Sequence, residues 1–85
     1  MGKRQKDLQL IIDLYGKDSQ RDMAIEECAE LITVLSHWKR DKTSAEDVAG
    51  EIADVGIMVD QLTMVFGTEL LATIRKQKID RLLKN

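Results

Sequence analysis

Apolar residues recur along this chain at spacings of three and four, and four segments carry the pattern. Leu8, Ile11, Ile12 and Tyr15 fall at i, i+3, i+4 and i+7, which predicts an amphipathic helix of about three turns ending near Gly16. "GKDSQRD" restarts the chain, with Asp18 or Ser19 as cap and Asp22 three residues after Ser19 in a loose capping box. A second helix then runs to about Arg40. "DKTSAED" is the next interruption, where Thr43 or Ser44 caps a third helix reaching about Phe66, and Glu46 and Asp47 sit against its positive N-terminal end. Gly67 and Thr68 read as stop and cap before "ELLATIRKQKIDRLLK". There Leu70 or Leu71, Ile74, Ile79, Leu82 and Leu83 keep helical spacing, with cations crowding the end. The expectation is one all-α domain over residues 1–85, a four-helix bundle of two long antiparallel helices and shorter N- and C-terminal ones.

Acidic residues interrupt the apolar faces of both long helices. On a wheel of 100° per residue centred on Glu27, residues Met23, Ala24, Leu31, Val34, Leu35 and Trp38 all lie within roughly 80°. Glu30 falls about 60° to one side and Glu26 about 40° further, so the three acids form a band merging into the apolar stripe. In the third helix Glu51 is flanked by Val48, Val55, Met58, Val59 and Leu62, with Asp54 one turn along. Ala49, Ala53, Asp60 and Thr63 occupy the opposite arc. Helices joined by a short turn pack antiparallel, so these carboxylates are expected to converge.

Convergence of like charge away from water demands compensation by protonation, by salt bridges or by a divalent cation. No Lys or Arg occupies the surrounding wheel positions, which weakens the salt-bridge answer. Oxygen ligands at i, i+3 on facing helices suit a hard ion such as Mg²⁺, with Mn²⁺ as a substitute. A di-iron carboxylate centre would want Glu-x-x-His, but Val34 stands three before His37, the only histidine. His37 therefore reads as a surface or interface residue. Trp38 reads as core, with base stacking the lesser alternative.

Composition narrows the classes further. The net charge of −2 provides no overall positive field for a nucleic-acid backbone. A helix-turn-helix regulator ranks last, because no helix offers a solvent face of clustered Lys and Arg. No apolar run approaches the roughly 20 residues of a membrane span, and "MGKRQKDLQLIIDLYG" lacks the apolar core of a signal peptide; a cytoplasmic protein is expected, with neither nucleic acid nor membrane as partner. The single Cys28 has no internal disulfide partner and reads as a small buried residue. A chain of 85 residues builds only a modest core, and a second apolar strip of Ile25, Ala29 and Ile32 lies off the acidic stripe, so self-association is expected.

The motif Glu27-x-x-Glu30, then 20 residues, then Glu51-x-x-Asp54 resembles the signature of the MazG-like all-α nucleoside triphosphate pyrophosphohydrolases. "EECAEL" is similar to that family's first motif and "EIADVGIMVDQL" to its second; the likeness covers most of residues 18–66 and fades outside them. It implies a MazG-like bundle that hydrolyses a nucleoside triphosphate between its α and β phosphates. The products would be a monophosphate and pyrophosphate. Glu27, Glu30, Glu51 and Asp54 would be the metal ligands, and an activated water would attack in line. Glu26 and Glu27 are the candidate catalytic residues, Glu26 as general base or as orienter of a ligand. Lys78 and Arg81 are the first candidates for holding phosphates, Arg75 and Lys76 the alternatives, and Trp38 a candidate for contact with the base. The resemblance also implies homodimers or homotetramers with sites completed by neighbouring subunits. The competing reading is a non-catalytic helical oligomerisation or binding module that keeps the fold.

Overall fold

A computed structural model describes residues 2–40 and 42–84. The chain forms four helices: α1 (Lys3–Tyr15), α2 (Lys17–Lys39), α3 (Ala45–Phe66) and α4 (Thr68–Lys84), with no strand among the described residues. The periodicity thus located all four elements. Among the described residues no single helix is long and apolar enough to cross a membrane.

The junctions differ from the sequence expectation. One glycine separates α1 from α2 and one separates α3 from α4; Gly16 has φ +85° and Gly67 φ +124°, backbone settings that side chains with a Cβ rarely adopt. Gly16 both stops α1, its N–H donating to the Ile12 carbonyl at 2.8 Å, and starts α2, its carbonyl accepting from Gln20 N–H at 3.1 Å. Asp18 and Ser19 therefore lie inside α2 rather than capping it, and the Ser19/Asp22 capping box does not form. Thr68 likewise lies within α4.

The start of α3 follows the sequence closely. Ser44 Oγ accepts from Asp47 N–H at 3.1 Å, and the Asp47 carboxylate accepts from Ser44 N–H at 3.3 Å and from the Thr43 hydroxyl at 3.0 Å. These bonds, the one to the Ser44 backbone first, hold the Asp47 carboxyl below its ordinary 3.8. Ser44→Ala is expected to destabilise the protein by about 1 kcal/mol, read by urea denaturation; a change under about 0.3 kcal/mol would show the box to be ornamental.

Helices α2 and α3 pack along most of their lengths, α1 lies across both, and α4 touches α3 alone. The buried centre is small: among the described residues it comprises Ile12 from α1, Ala24 from α2, Met58 from α3 and two glutamines, Gln20 and Gln61, each 1 % exposed. Val59, expected on the inner face of α3, is exposed, while Gln61 is buried and Thr63 half-buried. α1 packs on this end of α3 in addition to α2, so burial there does not follow the α2-facing stripe alone. Cys28 is exposed as well, since it stands about 100° from Glu27 and outside the seam. Trp38, 49 % exposed, is not a core residue within one chain.

At Gly67 the chain bends by 116°, so α4 leaves the rest of the molecule and has no buried residue. The radius of gyration is 15.2 Å, against about 12 Å for a compact domain of this length. The accessible surface is 6895 Å², against about 5,100 Å² for a folded monomer of this mass. Leu70, Leu82 and Leu83 on α4, and Ile25 and Ile32 on the second strip of α2, stand exposed.

Candidate metal centre

The middle of the α2/α3 seam is acidic. Glu27 from α2 and Glu51 and Asp54 from α3 each bring a carboxylate oxygen to within 4.8 Å of the others. The positions explain it: in antiparallel helices, Glu27 meets Asp54 and Glu30 meets Glu51 when residue numbers across the seam sum to a constant. Glu27 and Glu51 are half-buried, and Glu27 Oε2 and Glu51 Oε2 are enclosed without a hydrogen-bond partner. Glu30 lies outside the closest trio but near enough for its charge to act on both. Asp54 is exposed on the outer side of the cluster.

The carboxylates strain against one another. The Glu27 carboxyl is pushed above its ordinary 4.5, first by loss of water around it and then by the charges of Glu30, Asp54 and Glu51. Glu51 is raised as well, again first by desolvation and then by Glu30 and Asp54. The ion pairs among the described residues, Arg21 with Asp18 and Asp22 and Lys76 with Asp80, all lie elsewhere. Of the three forms of compensation, salt bridging is thus not the one present among the described residues.

The donor set fits a hard divalent ion. Carboxylate oxygens about 2.1 Å from an octahedral Mg²⁺ lie roughly 3 to 4.2 Å from one another, within the 4.8 Å of the observed trio. The enclosed, unpartnered oxygens of Glu27 and Glu51 are what such an ion satisfies. Absence of sulfur and imidazole from the cluster disfavours softer metals.

A surface groove of about 340 Å³ opens beside the cluster, lined by Glu26, Ala29, Glu30, Thr33, Val34 and Glu51. Glu26 therefore belongs to the same opening as two of the expected ligands. At the turn end of the hairpin a smaller apolar slot of about 170 Å³ is formed by Trp38, Ala45, Val48, Ala49 and Ile52. The α4 cations are not brought to either opening. Arg75 and Lys78 flank an apolar groove of α4's own residues, Lys76 is engaged by Asp80 at 2.7 Å, and Arg81 is exposed; α4 makes no contact with α2.

Gln20 and Gln61 fall outside both the apolar spacing and the acidic motifs by which the sequence marks the seam. The available signal was their offset: Gln20 precedes Glu27 by seven residues and Gln61 follows Asp54 by seven, two helical turns along the same seam. No family model, curated protein or solved structure matches this chain.

Proposed function

We propose that the chain is a Mg²⁺-dependent nucleoside triphosphate pyrophosphohydrolase of MazG-like arrangement, cleaving a (deoxy)nucleoside triphosphate to the monophosphate and pyrophosphate. One observation carries the reading: acidic oxygens from facing helices meet within 4.8 Å beside an open groove, and two of these carboxylates, Glu27 and Glu51, each have an enclosed oxygen without a partner. Glu27, Glu51 and Asp54, with Glu30 adjoining, are the residues to hold the ion. Bound there, Mg²⁺ supplies positive charge against the phosphate oxygens and lowers the pKa of water. Glu26, exposed on the groove wall, is the base that takes the proton of the attacking water. Water oxygen then bonds to the α-phosphorus, the bond to the α,β-bridging oxygen breaks, and pyrophosphate leaves with the electron pair.

The apolar slot beside Trp38 begins about 12 Å along α2 from Glu30, a reach suited to a base whose phosphates lie at the acids. Lys78 and Arg81 serve this site from a neighbouring copy, since α4 stands apart from the groove of its own chain. An excess of about 1,800 Å² of accessible surface over that of a compact monomer is of the size that association removes, which supports a homodimer or homotetramer.

Incubation with Mg²⁺ and a panel of ribo- and deoxyribonucleoside triphosphates tests the activity. Pyrophosphate release is expected for at least one substrate; a panel no more active than Glu27→Gln would remove the enzyme reading. A second reading, a non-catalytic oligomerisation module, is favoured by the uncovered apolar side of α4 and by the lack of any cation lining the acidic groove. It predicts a silent panel from a protein that light scattering shows to be oligomeric.

A further inference from the structure

Helix α4 is amphipathic, yet its apolar side is covered by nothing. Leu71, Ile74, Ile79 and Leu82 form a groove of about 350 Å³ with Arg75 and Lys78 at its flanks, and no residue of the helix is buried. A contiguous exposed apolar face marks a place that another protein surface covers. The chain itself does not supply that surface. Gly67 N–H donates to the Thr63 carbonyl at 2.9 Å and the Gly67 carbonyl accepts from Leu71 N–H at 3.1 Å, so both helices pin the 116° bend between them. Held there, α4 touches α3 alone.

Charge selects what the face packs on. α4 has five cations and two acids, a net +3, while the whole chain is −2, which leaves −5 on the remainder. Pairing α4 with another α4 would set Arg75 and Lys78 against their own kind. The exposed strip of Ile25, Ala29 and Ile32 on α2 offers the opposite, because Asp22 and Glu26 border it on one side. Arg21, on the other side, is engaged by Asp18 at 3.8 Å and by Asp22 at 3.4 Å. The strip spans about 10 Å of α2 and the α4 face about 16 Å, so one covers the other end to end. Glu26 and Ala29 also line the acidic groove, so a helix laid on the strip stands at that groove's mouth.

We propose that α4 of one copy docks on the Ile25, Ala29 and Ile32 strip of a second copy, reciprocally across a twofold axis, and brings Arg75 and Lys78 to the acidic groove found there. The role of the cations rests on the function proposed above; the docking does not. A reciprocal contact of this kind is self-complementary and closes at two chains. The surface excess of about 1,800 Å² per chain is ample for the roughly 800 Å² per partner that a stable interface buries. No cation lines the groove within one chain, so each site is incomplete until the neighbour arrives.

Cys28, exposed beside the strip and the only thiol, is the reporter. Wild-type chain is mixed with a Cys28→Ala chain carrying Ala72→Cys or Arg81→Cys, one on each edge of the α4 face, and treated with a short bismaleimide. A product joining the two unlike chains is expected with at least one of the pair. Preferential linking of the Cys28→Ala chains to one another would show α4 on α4, and linking within a single chain that keeps Cys28 would show α4 folded onto its own α2; either overturns the docking. So does the absence of any cross-link, or a monomeric wild type in sedimentation velocity. Ile25→Glu/Ile32→Glu and Leu71→Glu/Leu82→Glu alter exposed residues, so each is expected to keep its helix content by circular dichroism while weakening the dimer at least about a hundredfold. An unchanged dimer in both would overturn the proposal. Mixing Glu27→Gln chains with Arg75→Ala/Lys78→Ala chains, each inactive alone, is expected to restore about a quarter of wild-type turnover, because half the dimers are mixed and each holds one complete site. No recovery from an active wild type would remove the cations' role across the interface. A cross-linked dimer with a silent nucleotide panel would remove the enzyme and leave the docking in place; an active protein without the cross-link would do the reverse.

Discussion

Glu27→Gln is expected to do two opposite things: raise the thermal stability of the metal-free protein at neutral pH, and sharply weaken Mg²⁺ binding and hydrolysis together. Glu27 sits among Glu30, Glu51 and Asp54, and its ionised form is disfavoured first by desolvation and then by all three charges. Glutamine keeps the length and removes the charge, so the repulsion inside the seam is relieved. The same change exchanges an anionic ligand oxygen in a trio gathered within 4.8 Å for a neutral amide oxygen, a much weaker ligand for a hard divalent ion. Loss of one charge-stabilising group at a reacting phosphate lowers turnover by about a hundred- to a thousandfold. Differential scanning fluorimetry with and without Mg²⁺ measures both halves. A variant that is less stable than wild type without metal, yet gains as much stability from Mg²⁺, would mean that the carboxylates are ordinary surface charges.

A second large effect is a pH dependence that metal reverses. The folded-state values of Glu27 and Glu51 are raised above 4.5, so the native state holds these protons more tightly than the unfolded chain does. Their contribution to stability is fully present below 4.5 and is lost as pH rises through the raised folded values. Asp47 acts in the other direction and in another window: its lowered value gives stability that is present above 3.8 and lost as pH falls through the folded value. The metal-free melting temperature is therefore expected to peak in mild acid and decline toward neutrality. Mg²⁺ competes with protons for the same oxygens, so its stabilisation is expected to grow with pH. At a hundred times its dissociation constant, the ion is expected to raise the melting temperature by about 10 °C or more near neutral pH. Melting curves from pH 4 to 8, with and without Mg²⁺ and in the Glu51→Gln background, resolve the terms. A metal-free profile flat above pH 5 would contradict the crowding of the carboxylates.

Much of this arrangement was legible in the chain. Four helices follow from apolar spacing, and the Ser44 cap from a hydroxyl three residues before Asp47. The meeting of Glu27 with Glu51 and Asp54 follows from their placement on stripes that a short turn must fold together. Other features were not legible. Periodicity marks Val59 and Gln61 as nearly symmetric about the α3 stripe, and only packing against both α1 and α2 decides which is buried. The sequence places Cys28 and Trp38 inside, yet both are exposed, because a chain this short has too little material to cover them. Spacing marks Gly16 and Gly67 as helix stops, but only the structure makes each a junction of one residue.

The sequence by itself determined the local elements and the acidic band, because helical periodicity and capping depend only on residues within a few positions of one another. Tertiary structure alone decided the register that gathers the trio, the burial of Gln20 and Gln61, and the departure of α4 from the groove. Those depend on how rigid helices slide, rotate and bend against one another. Such rigid-body freedoms leave the spacing along each helix unchanged and are settled only by packing.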